Sequence, residues 1–197
     1  RNSNLALIED VKAYLADLGI ESRLTYDHDG AKANLWCTIG PQEKGGVVLS
    51  GHTDVVPVDG QDWTSDPFTL TRRNDRLYGR GTADMKAFIA IALALAPEMA
   101  AANLQVPIHF AFSFDEEVGC FGVQHIIADV VANLPLPRAV IVGEPTEMKL
   151  IGGNKGTRIY KTRVTGVPGH SSDPRNGANA IIAASRMIAF IDDLGQE

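Results

Sequence analysis

Apolar positions recur along the chain in two rhythms. Leu7, Ile8, Val11, Tyr14, Leu15 and Leu18 repeat at helical spacing, and Gly19 supplies a helix stop. Short apolar runs follow a different pattern. NLWCTI (34–39) and VVLSGH (47–52) predict strands separated by a Pro/Gly turn, and VPIHFAFSF (106–114) and RAVIVG (138–143) predict two more. Between them, DMKAFIAIALALAPEMA (84–100) predicts a buried helix, and residues 119–132 predict another. Residues 57–76, with Pro57, Gly60, Pro67 and RRND, read as a long loop. Strands alternating with helices argue an α/β fold with a mostly parallel sheet flanked by helices. Runs this short and this apolar fit strands covered on both faces.

The pattern changes at IGGNKG (151–156), which reads as a hinge. Residues 1–152 are therefore expected to form one domain, and 153–197 to begin a smaller α+β domain. In that second part TRIYKTRVTG (157–166) alternates as a strand with one wetter face. HSSDPRNG is a turn, and ANAIIAASRMIAFIDDL is an apolar helix. One strand and one helix are too little for an independent core, so the second domain is expected to be incomplete.

Composition narrows the function classes. The chain of 197 residues is 45% hydrophobic and 21% charged with a net charge of -6, an ordinary globular balance. No Lys/Arg cluster is present, so nucleic acid is not an expected partner. Cys37 and Cys120 lie far apart and form no CxxC, which favours a reducing, cytoplasmic setting over a disulfide framework. No apolar run approaches the ~20 residues of a membrane span. RNSNLALIED has no basic-then-apolar leader, and its start without Met, almost inside a helical pattern, is expected to be the edge of a fragment.

The chemistry gathers where apolar strands stop. VVLSGHTD ends in His52 and Asp54, LYGRGTAD delivers Asp84, FAFSFDEE delivers Glu116 and Glu117, and AVIVGE delivers Glu144. In open α/β sheets the carboxyl ends of strands line the functional crevice. Each piece alone has an ordinary explanation: a turn at His52, a helix N-cap at Asp84, a solvated helix start at the acids, a Pro turn at GEPT. Together they suggest a metal cluster. One His with several carboxylates suits zinc, manganese or cobalt better than calcium, and two metals would account for the number of acids. His52 and Asp54, two apart, share a side of an extended chain, so Asp54 can take the other ring proton of His52. Adjacent Glu116 and Glu117 point different ways, so one can bind metal while the other faces an attacking water.

The segments SGHTDVVPVDGQDWTSDPF, LYGRGTADMKA, DEEVG, VGEPT and GHSSDPRNGANAI, in that order, resemble the M20 metallopeptidase family. The resemblance implies a zinc-exopeptidase-like catalytic domain with two divalent metals, zinc first and cobalt or manganese as alternatives. It implies that His52 binds the first metal, Asp84 bridges, Glu117 binds the second and Glu144 completes the first. Glu116 would be the general base and later proton donor, Asp54 would orient His52, and the Asp84–Met85 peptide would be cis. The smaller domain would be a lid that makes a homodimer, with His170 reaching the partner's active site as an oxyanion donor. Lys155, beside the hinge, reads first as a solvated surface lysine, with contact to a substrate carboxylate as the alternative.

The implied activity is hydrolysis of a small N-acyl amino acid, first N2-acetyl-L-ornithine to ornithine and acetate in arginine biosynthesis. Desuccinylation of succinyl-diaminopimelate, dipeptide hydrolysis and aminoacylase activity are the alternatives within the family, and a non-catalytic dimerisation module is the alternative outside it. Two departures bear on this. Ala87 stands where the family usually has Gly. The family also takes a second-metal His from a C-terminal segment, and His28, His109, His125 and His170 match no such motif. Residues 1–197 alone are therefore expected to hold an incomplete second metal site and to be inactive.

Overall fold

The computed structural model describes residues 3–43, 45–156 and 158–196. They fall into two compact units, Arg1–Leu150 and Ile151–Glu197.

The first unit opens with α1 (Leu5–Asp17), whose Ile8, Val11 and Leu15 are buried as their spacing predicts, and Gly19 ends it at φ +73°. Its sheet contains β1 (Ser22–Tyr26), β2 (Ala33–Ile39), β3 (Val47–His52), β6 (Ile108–Ser113) and β7 (Ala139–Val142), in the order β1-β2-β6-β3-β7. The fold is α/β, but the sheet is mixed. β3 runs parallel to both β6 and β7, while β1 pairs β2 and β2 pairs β6 antiparallel. β1 carries no clear apolar signal; it is recruited by the short turn that folds Ser22–Tyr26 back onto β2. Thr71–Arg73 (β4) and Arg76–Tyr78 (β5) form a small hairpin where a loop was expected.

Two helical layers explain the continuous apolar runs. Leu35, Cys37, Phe110 and Phe112 pack with α1 and with α2 (Ala87–Ala101) on one face. Trp36, Val48 and Ala111 pack with Ile126 and Val130 of α3 (Phe121–Asn133) on the other. Each fully buried Phe is worth about 2–3 kcal/mol against exposure. Two expectations change here. α2 is not buried all round: Ile89, Ala92 and Ala96 face the sheet, whereas Ile91 is 60% exposed, because a helix lying on one sheet face buries one stripe. β7, at the sheet edge, is exposed throughout rather than covered on both faces.

The parallel strands set the site. His52 is the register partner of Ser113, and Val142 lies beside Ser50, so the chain leaves β3, β6 and β7 at one edge. Gly143 then passes so close to Phe88 of α2 that a Cβ there would stand 2.0 Å from the ring's Cγ. Asn34, fully buried, ties the end of β6 to the start of α3. Its Oδ1 accepts from the Phe114 N–H at 3.1 Å, and its Nδ2 donates to the Gly122 carbonyl at 2.9 Å and to Thr25 Oγ1 at 2.9 Å.

In the second unit, the described residues of 158–166 form no strand, and Thr157 lies outside them. Alternation alone does not make a strand, because the backbone groups of a lone strand have no partner. One antiparallel bridge, Val167 to Ala178, precedes α4 (Ala180–Gly195), whose first turn is capped by the Asn179 side chain.

Replacing Asn34 with Ala leaves the Phe114 N–H and the Gly122 carbonyl without their side-chain partner. The expected loss is about 2–3 kcal/mol in urea unfolding, and a change below ~0.5 kcal/mol would show that the tie carries no load.

Candidate metal centre

The site grows from a histidine that the sheet buries. His52, the last residue of β3, is 2% exposed. Its backbone N–H points to the sulfur of Met85 at 3.2 Å, and its Nδ1 lies 3.0 Å from the Asp54 carbonyl oxygen. With Nδ1–H donating to that carbonyl, Nε2 presents its lone pair outward. Nε2 meets Asp84 Oδ1 at 3.0 Å, Glu144 Oε1 at 3.7 Å and Glu116 Oε2 at 3.9 Å. One ligand atom from each of His52, Asp84 and Glu144 lies within 4.8 Å of the others.

Asp84 reaches this point through its backbone. It sits in a wide turn, Thr82–Lys86, at φ -120° and ψ 98°, and the Asp84–Met85 peptide is cis, as the family resemblance implied. Asp84 is not the N-cap of α2, which begins at Ala87. Met85, fully buried, packs beneath His52 and anchors the turn.

Asp54 does something its spacing from His52 did not reveal. Its Oδ1 is 3.5 Å from His52 Nδ1, farther than its own carbonyl oxygen. The carboxylate instead accepts the backbone N–H groups of Glu116 and Glu117, each at 3.1 Å. It thus holds the acidic turn against the end of β3. Nothing in the one-dimensional pattern marks a bond between residues 62 and 63 positions apart.

Electrostatics show how strongly the acids are crowded. Burial by itself disfavours the charged imidazole, but Asp54, Glu116 and Asp84 outweigh it and push His52 up to about 9. Burial, then Asp84 and the neighbouring glutamates, raise Glu117 and Glu144 above the usual carboxylate range. Asp54 is buried too, yet the neighbouring His52 ring and its bonds to the two amides hold it below that range. An imidazole nitrogen and carboxylate oxygens at this spacing match a cation with bonds of about 2.0–2.2 Å, and the crowded negative charge favours it.

The remaining expected residues lie elsewhere. Glu117 faces the electrostatic field of Asp84 and His52 but is not one of the three gathered ligands. His170 and Lys155 belong to the second unit. His170 Nδ1 is 2.7 Å from Ser172 Oγ within a turn, and Lys155 is exposed. His28 is exposed in a turn, His109 stacks on Trp36, and His125 lies against Phe114 from α3. No helix among the described residues is long and apolar enough to cross a membrane.

Zinc binding by chelator-treated protein should therefore depend on pH. A divalent cation must displace the His52 proton, so apparent affinity should climb by up to ~tenfold per pH unit between about pH 6 and 9, then level off. Competition with a chromophoric chelator measures this, and a profile already flat across about pH 7–9 would contradict competition between the metal and a His52 proton in that range.

Comparison with known proteins places the chain in a family. Residues 48–191 match the model of peptidase family M20/M25/M40. The acetylornithine deacetylase of Yersinia pseudotuberculosis serotype O:1b (strain IP 31758) is 41% identical over 184 residues, covering 91% of this chain and 46% of that protein. The acetylornithine deacetylase of Proteus mirabilis (strain HI4320) is 38% identical over 193 residues, 98% of this chain and 49% of that protein. The chain thus spans about half the length of these relatives. A tripeptidase from Staphylococcus aureus subsp. aureus mu50 shares the fold, with a TM-score of 0.63 at 20% identity over 95% of this chain and 51% of that one. The motifs along the strand edge, the site they build and these matches agree: the chain belongs to the M20/M25/M40 peptidase family.

Proposed function

We propose that the chain is the N-terminal part of a metal-dependent amide hydrolase that removes the acyl group from an N-acyl amino acid. The observation that carries this reading is the convergence on His52 Nε2 of Asp84, Glu144 and, at 3.9 Å, Glu116. A bound divalent metal, zinc first, would polarise the scissile carbonyl and acidify the attacking water. In this reading His52 and Glu144 would hold the first metal, Asp84 would be shared with a second, and Glu117 would help hold that second one. Asp54 fixes both the His52 side of the site and the backbone of Glu116 and Glu117. Glu116, with a side chain 39% exposed at the rim, takes the proton from the attacking water and returns it to the departing amine.

N2-acetyl-L-ornithine is the proposed substrate, on the strength of relatives named acetylornithine deacetylase. The reaction would release ornithine and acetate as a step of arginine biosynthesis in the cytoplasm. In the same reading the second unit is the start of a lid that forms a homodimer, His170 donates to the oxyanion in a second copy, and Lys155 meets the substrate carboxylate. Those assignments rest on the family pattern around GHSSDP and on the place of Lys155 beside the glycine-rich segment.

In the complete gene product, Glu116→Gln should keep its metal and lose ~10²–10⁴ in turnover. Near-normal turnover would remove Glu116 as the proton carrier. N2-acetyl-L-ornithine should be cleaved in preference to N-succinyl-diaminopimelate when the two are assayed side by side, and the reverse order would reassign the substrate.

A further inference from the structure

The mechanism leaves Asp115 without a part, although it begins the acidic turn. The structure gives it a partner 83 residues away in sequence: Lys32 Nζ lies 2.7 Å from Asp115 Oδ1 and 2.6 Å from Oδ2. The two side chains are only 20% and 22% exposed, so the pair is partly withdrawn from water. Lys32 is itself held at the end of the turn between β1 and β2. Its N–H donates to Asp27 Oδ1 at 3.0 Å, and its carbonyl accepts from the Asp27 N–H at 3.0 Å.

Asp115 has φ +54°, a left-handed conformation that residues other than glycine adopt rarely. That single residue turns the chain from the line of β6 toward the metal centre. Its neighbours are pinned through their amides: Phe114 N–H to Asn34, Glu116 and Glu117 N–H to Asp54. The Asp115 carbonyl accepts from the Phe121 N–H at 3.1 Å, which starts α3. The Asp115 side chain is held by Lys32, and the left-handed turn lies between two fixed points.

We propose that Lys32 is a positioning residue for the hydrolytic reaction. By chelating both oxygens of Asp115, it holds the turn that aims Glu116 at the cluster of His52, Asp84 and Glu144. This rests on the reading of Glu116 as proton carrier. A proton carrier must sit within hydrogen-bond reach of its water, and small displacements cost rate steeply. Lys32 touches neither substrate nor metal ligand in this account; it acts through Asp115.

The test compares Lys32→Met, Lys32→Arg and Asp115→Asn in the complete gene product. Lys32→Met should lower kcat by ~tenfold or more, leave KM within ~twofold and keep the metal content. Lys32→Arg, whose guanidinium also grips a carboxylate through two bonds, should recover most of the rate. Asp115→Asn should resemble Lys32→Met, and the double variant should be no slower than the slower single one. Amide hydrogen exchange across 113–122 gives a readout that does not need activity: Glu116 and Glu117 should exchange at least ~tenfold faster in Lys32→Met, while the amides of β6 keep their protection. Unchanged exchange in that segment, or a kcat that falls only with the folded fraction, would overturn the proposal. If the wild-type protein cleaves no N-acyl amino acid, the hydrolase reading fails, and the exchange experiment still decides whether Lys32 holds the turn.

Discussion

Crowding carboxylates around one buried imidazole is the constraint on which the site depends. Asp54, Asp84, Glu116, Glu117 and Glu144 all enter the field of His52 or of one another. Repulsion of this kind would drive a flexible set of side chains apart. The fold prevents it by attaching the acids to anchored backbone: the ends of the parallel strands, a turn held by the buried Met85, and a glycine pressed against Phe88. The relief available to such a cluster is positive charge, first a proton on His52 and, more fully, a divalent cation.

The supporting structure is organised around that task. The sheet core, with Phe110 and Phe112 on one face and Trp36 and Ala111 on the other, fixes the heights at which β3 and β6 end. Met85 plugs the space beneath His52 and carries the Asp84 turn with it. Polar ties then trim the last few ångströms. Asn34 sets Phe114, Asp54 sets the next amides, and Lys32 sets Asp115 between them. Three partners from distant parts of the chain thus fix four consecutive residues, which keeps the acidic turn in one place beside His52.

Much of this was legible in the sequence. The apolar runs of β3 and β6 gave both strands, and the rule that parallel strands present their carboxyl ends to one crevice brought His52, Glu116 and Glu144 together on paper. Helical spacing gave the buried stripe of α1. What escaped had no local signature. SRLTY carries mixed polarity because β1 is half-exposed, so only its pairing with β2 defines it. The strand expected over 157–166 had the alternation but no partner strand. Asp54 was expected to serve the imidazole through its carboxylate; that carboxylate stands 3.5 Å from the ring nitrogen, its carbonyl lies closer, and the carboxylate also grips amides more than sixty residues away. The Asp115 counter-ion, Lys32, has no local signature either: β2 runs antiparallel to β6, which brings the β1–β2 turn to the end of β6.

The central claim is that these acids and His52 form a metal centre. Elemental analysis of the purified complete gene product, wild type beside His52→Ala, tests it most directly. The account predicts a divalent metal bound to the wild type and a clear loss of it in the variant, with the fold retained. Metal stoichiometry unchanged by His52→Ala, or a wild-type protein that takes up no divalent metal at all, would contradict it.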